Sequence, residues 1–361
     1  MKKLLVTLIL CLPLVFTACN NDDEPDFDVP QLTDDNTIQF TLKIDDKFSF
    51  YFDALLGEKT AIDWGDGKME KMYATDTDAK GHKFKSAGTY RIKVWSEHLT
   101  LFSISGLFHS INDLHIGNCP KLEIFTAGGL VRSTSFKVGK NCPNLKDLNI
   151  GNWADLESFD VSECTNLETL SCYTHPKLKT LDVSANKKLF VLRCTYNGLT
   201  RLVIGDKNIM STIDCSRNNL TELEFGDLSL GELVVDNNKL TSLDLSKMEN
   251  LSTLICDSNR IATLDISANK RLGLLSCSNN LLTSFNGSNK QYLTRLNSAK
   301  NQMEAQALND IFTALPNSPT KKLYVPSQPQ KSTIMIYENP GTTTCNTSII
   351  TDKDWMILER K

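Results

Sequence analysis

The chain has 361 residues, of which 40% are apolar and 23% charged, with a formal net charge of −4. That length suggests about two domains, and the apolar share is enough for a sizeable core. A mildly acidic balance with no Lys/Arg cluster excludes a nucleic-acid binder, because neutralising phosphates needs a basic face.

Residues 1–18 read as a leader. Lys2 and Lys3 form a positive start, and Leu4 to Phe16 is an apolar stretch too short for an ordinary membrane span. It ends in Phe16-Thr17-Ala18-Cys19. Small residues directly before a cysteine resemble the lipobox of bacterial lipoproteins, with Phe16 where that family usually has Leu. The resemblance implies cleavage before Cys19, lipid on the new N-terminal Cys19, and membrane contact through that anchor only. Residues 19–35 follow with Asp22, Asp23, Glu24, Asp26, Asp28, Asp34 and Asp35 among Pro25 and Pro30. So acidic a stretch cannot bury enough surface to offset the entropy of ordering, and it reads as a flexible tether. An acidic run after a lipidated cysteine also resembles the surface-export signal of Bacteroidetes lipoproteins. That implies an outer-membrane, lipid-anchored protein facing the exterior.

Residues 36–104 alternate as strands do, in Ile38-Phe40-Leu42-Ile44 and Tyr90-Ile92-Val94. Gly65-Asp66-Gly67 between them is a tight turn, since glycine accepts positive φ and Asp bonds its own backbone. Trp64-Gly65-Asp66-Gly67, then His82-Lys83-Phe84 and Gly88-Thr89-Tyr90, resemble the PKD-like domain. The resemblance implies a small immunoglobulin-like β-sandwich that serves as a spacer or weak binding module, with Trp64 and His82 as structural residues.

Residues 105–302 repeat themselves. One phrase begins at Leu114, Phe136, Phe159, Leu181, Leu202, Leu223, Leu243, Leu264 and Phe285, with a period of 20 to 23. It is clearest in Leu181-Asp182-Val183-Ser184 and Leu264-Asp265-Ile266-Ser267, and a second phrase follows, as in Leu254-Ile255-Cys256-Asp257-Ser258-Asn259. The joined pattern matches the leucine-rich repeat. Its short period and cysteines resemble internalin-type and Bacteroidetes surface repeats. One such unit cannot bury its own apolar face, so neighbours stack into a solenoid. Asn197, Asn218, Asn238, Asn259, Asn280 and Asn301 recur in phase. An inward asparagine can bond the backbone groups a turn leaves unpaired, coil after coil. His175-Pro176 interrupts this ladder, and a bulge is expected there. A period near 21 leaves little room for a helix, so the expected fold is mainly β: a parallel sheet on one side and short 3-10 or extended segments on the convex side.

Residues 303–361 read as a capping module in which the repeat has stopped. Glu304 to Leu315 has helical spacing and Pro316 ends it. Tyr324–Val325, Thr333–Tyr337 and Trp355–Leu358 look like strands, and Asn339-Pro340-Gly341 like a turn. This tail resembles the terminal module of Bacteroidetes repeat proteins.

Of the eleven cysteines, Cys11 leaves with the leader and Cys19 takes lipid, so the remainder is odd. Cys172, Cys194, Cys215, Cys256 and Cys277 share one inward column with Val235, which reads as packed thiols acting as small hydrophobes. Parallel side chains on neighbouring strands also suit a disulfide torsion poorly. Cys119, Cys142 and Cys164 form a second in-phase set at a corner, aligned with Asn186, where a disulfide is less excluded. Cys345 has no evident partner. No catalytic motif is found, the five histidines sit in unrelated contexts, and no enzyme activity, metal or cofactor is expected.

A ligand is expected on the outer face of the sheet, where side chains alternate with the inward ones. Val234, Ile255 and Leu274 make an apolar diagonal there with Asp214, Asp236 and Asp257 close by, and Arg193 and Tyr173 lie further along. An apolar patch rimmed by charge marks a protein interaction site. The expected function is therefore surface binding of a protein ligand. A glycan-binding accessory of a polysaccharide-uptake system and a structural surface protein are the alternatives, the glycan reading having only Tyr173 as a stacking platform.

Overall fold

The computed structural model describes residues 27–44, 49–74, 80–206, 210–318 and 331–359. Cys19, the leader, the start of the tether and the expected strand at Tyr324–Val325 lie outside the described residues.

The repeats coil as read, into a mainly β solenoid of the leucine-rich-repeat type. Strands Asp147–Gly151, Thr169–Tyr173, Val191–Arg193, Met210–Asp214, Leu230–Val234, Thr253–Ile255, Leu274–Ser276 and Arg295–Asn297 pair in parallel, each with the next. The middle residue of the phrase stays in register from coil to coil, through Leu170, Leu192, Ile213, Leu233, Leu254, Leu275 and Leu296. All of these are buried. On the opposite side, Ser135–Lys137 pairs with Ser158–Asp160 and Thr180–Asp182 with Arg201–Val203. That side is built from extended pieces and turns, and no 3-10 helix occurs among the described residues. The aspartates of the Leu-Asp-x-Ser phrase hold its turns: Asp160, Asp182, Asp244 and Asp265 each accept the N–H of the residue two positions on.

The asparagine ladder explains how so tight a coil is tolerated. Tyr196, Arg217, Asn237, Ser258, Asn279 and Lys300 each hold φ between 54° and 56°, in the left-handed region. That conformation costs a non-glycine residue roughly 1–2 kcal/mol. The asparagine that follows each one offsets this cost. Asn259, for example, accepts the N–H of Leu240 at 3.0 Å and donates to the carbonyls of Val235 (3.0 Å) and Cys256 (3.1 Å). His175 takes the same rung without the expected bulge. Its Nδ1 accepts the N–H of Trp153 at 3.3 Å, its own N–H goes to Asn197, and the sheet register is unbroken on both sides. The imidazole acceptor does here what an asparagine carbonyl does elsewhere.

The repeat continues beyond residue 302, contrary to the sequence reading. After helix α1 (Ala305–Ala314), strand Thr333–Met335 adds in parallel to Arg295–Asn297, and Met356–Ile357 adds to that. Asn339 is a further rung, accepting from Asn301 N–H at 3.2 Å and donating to Ser298 and Ile336 carbonyls. α1 buries Leu308, Ile311 and Phe312 on one face.

At the other end lie strands β1 (Ile38–Ile44), β2 (Ser49–Leu56), β3 (Lys59–Asp63), β4 (Met69–Tyr73), β5 (Lys80–Lys83), β6 (Gly88–Ser96) and β7 (Leu101–Ile116). All pair antiparallel, in the orders β4-β3-β6-β1 and β5-β2. β1 joins the second half of β7 and β2 the first half, on one edge. The other edge of β7 pairs in parallel with strand Ile124–Arg132, the first full coil. β7 thus runs unbroken through the expected boundary at residue 104. The reason lies in the core, where rings of Phe52, Phe102, Phe125, Phe136 and Phe159 follow one another at 5.5–6.0 Å and join the two units. Trp64 is 1% exposed and stacks on His82, whose Nε2 meets Asp66 at 2.8 Å, so both are structural. The end of the tether is not flexible. Phe27 is buried against Tyr73 and Trp95, and Lys71 Nζ donates to its carbonyl at 2.8 Å. One aromatic ring is enough to anchor this end of an otherwise polar stretch.

Candidate binding face

The strand alternation that buries Leu233, Leu254 and Leu275 turns Val234, Ile255 and Leu274 outward, and all three are partly exposed. Val234 stands directly across from Ile255, while Leu274 faces Thr253 and so lies one step along the diagonal. Asp214 stands across from Val234 on one side and from Arg193 on the other. The structure therefore gathers Asp214, Val234, Ile255 and Leu274 on adjoining strands, with Asp236 and Asp257 each two residues past the end of its strand. It leaves Tyr173 apart, on strand Thr169–Tyr173. There the ring lies over Gly151, where any added Cβ would come within 2.3 Å of it.

The carboxylates differ in what they still offer. Asp257 accepts from Ser276 Oγ (2.6 and 2.8 Å), Ser278 N (2.5 Å) and Ser278 Oγ (2.8 Å). Asp214 accepts from Ser216 N at 3.1 Å and Oγ at 2.7 Å. Asp236 has the Asn237 side-chain amide. Burial raises its pKa above the ordinary carboxylate range, and the neighbouring Asp214 and Asp257 charges raise it further, against the amide bond and Arg217. An acid in that position gains from a cation brought by a ligand. Arg217 itself is stacked on the Tyr196 ring, 4.8 Å from its centroid.

The serines that hold Asp257 escape a reading by columns, because they bond across columns. The hint available was the Ser-x-Ser spacing of Ser276 and Ser278 one coil after the acid. A shallow pocket of about 310 Å3 on the opposite side is lined by Ser158, Phe159, Asp160, Asp182 and Ser184. Its aspartates are turn-holding groups. The inward cysteines are unpaired and buried, as expected for packed thiols, and burial pushes the Cys172 thiol up to about 12. No group of three or more His, Cys, Asp or Glu that could hold a metal is found among the described residues. None of their helices is long and apolar enough to cross a membrane.

Coil, ladder and exposed sheet face together define a leucine-rich-repeat solenoid. No protein-family model matches the chain, and no curated protein matches it. Among solved structures the chain is similar to the functional domain of InlJ from Listeria monocytogenes, described as including a cysteine ladder, at 22% identity and a TM-score of 0.43, over 80% of this chain and 63% of that one. It is also similar to YopM from Yersinia enterocolitica WA-314, at 17% identity and a TM-score of 0.36, over 66% of this chain and 56% of that one. The chain thus spans less than two thirds of the length of either.

Proposed function

We propose that this chain is a surface lipoprotein whose solenoid presents its parallel sheet face to a protein ligand. The observation that carries the reading is the apolar diagonal of Val234, Ile255 and Leu274. These residues occupy positions the coil does not need, on a face held rigid by the ladder. Exposed apolar groups grouped on a fixed surface and rimmed by carboxylates suit a protein partner with an apolar centre and a basic edge. The acidic stretch and Cys19 support export and lipid anchoring, with the antiparallel N-terminal unit as a PKD-like spacer between membrane and solenoid. No enzymatic activity or cofactor is part of the proposal.

The test is capture by immobilised Cys19→Ala protein from surface extracts of the cells it meets, run beside the same protein carrying Ile255→Ser. A partner retained by the first and lost by the second supports the reading. Identical capture by both, or binding confined to saccharides and abolished by Tyr173→Ala, would overturn it in favour of the glycan alternative or another face.

A further inference from the structure

The corner thiols Cys119 and Cys142 are arranged unlike the sheet thiols. Cys119 follows β7 and Cys142 follows strand Ser135–Lys137, so both stand in the turns between strands. Their coils are in direct contact: Cys119 N–H donates to the Asn141 carbonyl at 2.8 Å, and the Asn141 amide donates back to Ile116 at 3.1 Å. The Cys119–Asn141 backbone bond sets Cys119 beside the residue that precedes Cys142, on the neighbouring coil, and each of the two thiols perturbs the ionisation of the other. Adjacent coils lie about 4.8 Å apart, inside the Cα separation of roughly 4.4–6.8 Å that a disulfide spans. A turn, unlike a strand, leaves the two Cβ directions free to differ. Cys164, next in the column, is otherwise engaged, its Sγ donating to the Val138 carbonyl at 3.1 Å.

The two thiols also differ in access. Cys119 is 8% exposed and Cys142 is fully buried. The contact with Cys142 lowers the Cys119 thiol from its ordinary value, and the same contact raises that of Cys142. A reagent from solvent therefore reaches Cys119 before Cys142.

We infer that Cys119 and Cys142 are a modification site, an oxidisable dithiol that closes a disulfide clamp between the first two corners of the solenoid. The oxidant is a disulfide, either a small-molecule one or that of a dithiol oxidoreductase. Cys119 thiolate attacks one of its sulfurs, the oxidant's S–S bond breaks, and one thiolate leaves. Cys142 then gives its proton to a departing thiolate and attacks Cys119 Sγ, and the second thiol of the oxidant leaves. Two protein thiols lose two electrons, and the oxidant ends as two thiols. The clamp sits at the joint between the N-terminal unit and the coils. The residues just before Cys119 are already tied to the N-terminal segment, with Gly117 N–H on Thr37 and Asn118 N–H on Asp35 at 2.7–2.9 Å. Oxidation would fasten this joint to the second coil.

The experiment takes the full chain, reduced and then freed of reductant, and exposes it in its folded state to oxidised glutathione. Free thiols are blocked by alkylation, and the digest is read by mass spectrometry. The expected result is a Cys119–Cys142 cross-link, Cys172, Cys194, Cys215, Cys256 and Cys277 recovered as alkylated thiols, and a melting temperature raised by several degrees that returns on reduction. Cys142→Ser should stop the reaction at glutathione held on Cys119. Recovery of Cys119 as free thiol after prolonged exposure of the wild-type chain, or pairing of Cys142 with Cys164 instead, would overturn the inference, whatever the variant does.

Discussion

The side chain of Asn339 accepts the backbone N–H of Asn301 at 3.2 Å, across thirty-eight residues of chain that include a helix. It also accepts Met303 N–H at 3.3 Å and donates to Ser298 and Ile336 carbonyls at 3.0 and 2.7 Å. One amide thus closes the last full rung of the ladder, and α1 is a detour within the solenoid. Asn339→Ala should leave buried donors and acceptors without partners, at a cost of about 1–3 kcal/mol. Hydrogen exchange should show faster opening of residues 295–303 and 333–341, with the coils before residue 290 protected as before. Uniformly faster exchange throughout the chain would contradict a local rung.

Gly341 tests the same end by sterics. A Cβ there would lie 2.0 Å from Ala305 N and 2.6 Å from Ala305 Cα. Backbone cannot yield as a side-chain tip can, so Gly341→Ala should displace the start of α1. The expected readout is loss of helical ellipticity on mild heating before the sheet melts, by comparison with wild type. Unchanged melting of both would show that the turn accommodates the methyl group.

The sheet cysteines should behave as small hydrophobes. Cys215 is fully buried, and burial pushes its thiol up. Cys215→Val keeps volume and apolar character and should shift stability by less than about 1.5 kcal/mol. Cys215→Asp places a charge-capable group among Leu residues and should cost several kcal/mol or prevent folding. In the folded wild-type chain a thiol reagent should reach Cys172, Cys194, Cys215, Cys256 and Cys277 slowly, and quickly after denaturation. Rapid labelling under native conditions would mean that the column is open.

His175 makes the ladder sensitive to acid. Burial is the main cause that lowers its pKa to about 4 from 6.5, outweighing its backbone contacts to Trp153 and Ile150. Its Nε2 has no hydrogen-bond partner among the described residues. The folded chain therefore holds the imidazole neutral, while the unfolded chain protonates it near 6.5. Between those values the unfolded state binds the extra proton, so this contribution is complete above pH 6.5 and is lost as pH falls towards 4. A difference of that size is worth roughly 3 kcal/mol. His175→Asn supplies the ladder's usual side chain and should flatten the fall in stability between pH 6.5 and 4, measured by denaturant melts. Parallel curves for variant and wild type would assign the acid sensitivity to other groups.

Much of this was legible because a solenoid writes its contacts into a short period. Leu254 and Leu275 are neighbours in space because they are one repeat apart, so the inward and outward columns could be read by counting. What period could not reveal is instructive. Asn339 lies nearly two periods beyond Asn301, and the helix between them hides the phase. β7 crosses the expected boundary because its two edges serve different units, and an edge is invisible in a one-dimensional pattern. Phe27 stands alone in an acidic run, and only its pocket between Tyr73 and Trp95 explains why the chain is held there. On the candidate face, the bonds that hold Asp257 come from Ser276 and Ser278 one coil on, a pairing across columns that no single column displays.

The binding face is tested by two adjacent residues that differ in direction alone. Ile255 is partly exposed, while Leu254 is fully buried in the leucine column. If a partner covers the diagonal, Ile255 lies near its centre, where truncation of a key residue costs about 2 kcal/mol or more. Ile255→Ser should then weaken binding by roughly thirtyfold, as a loss of that size implies, with little change in melting. Leu254→Ser should unfold or strongly destabilise the chain, since it leaves a hydroxyl and a cavity in a dry core. Asp236→Lys places a cation where a raised, half-buried carboxylate stands, and should chiefly slow association and reduce its salt dependence. Titration calorimetry and stopped-flow kinetics on the three variants separate these effects. Full-strength binding by Ile255→Ser in a folded chain would move the ligand off this face, and unfolding by Ile255→Ser would mean that the outward column contributes to the core.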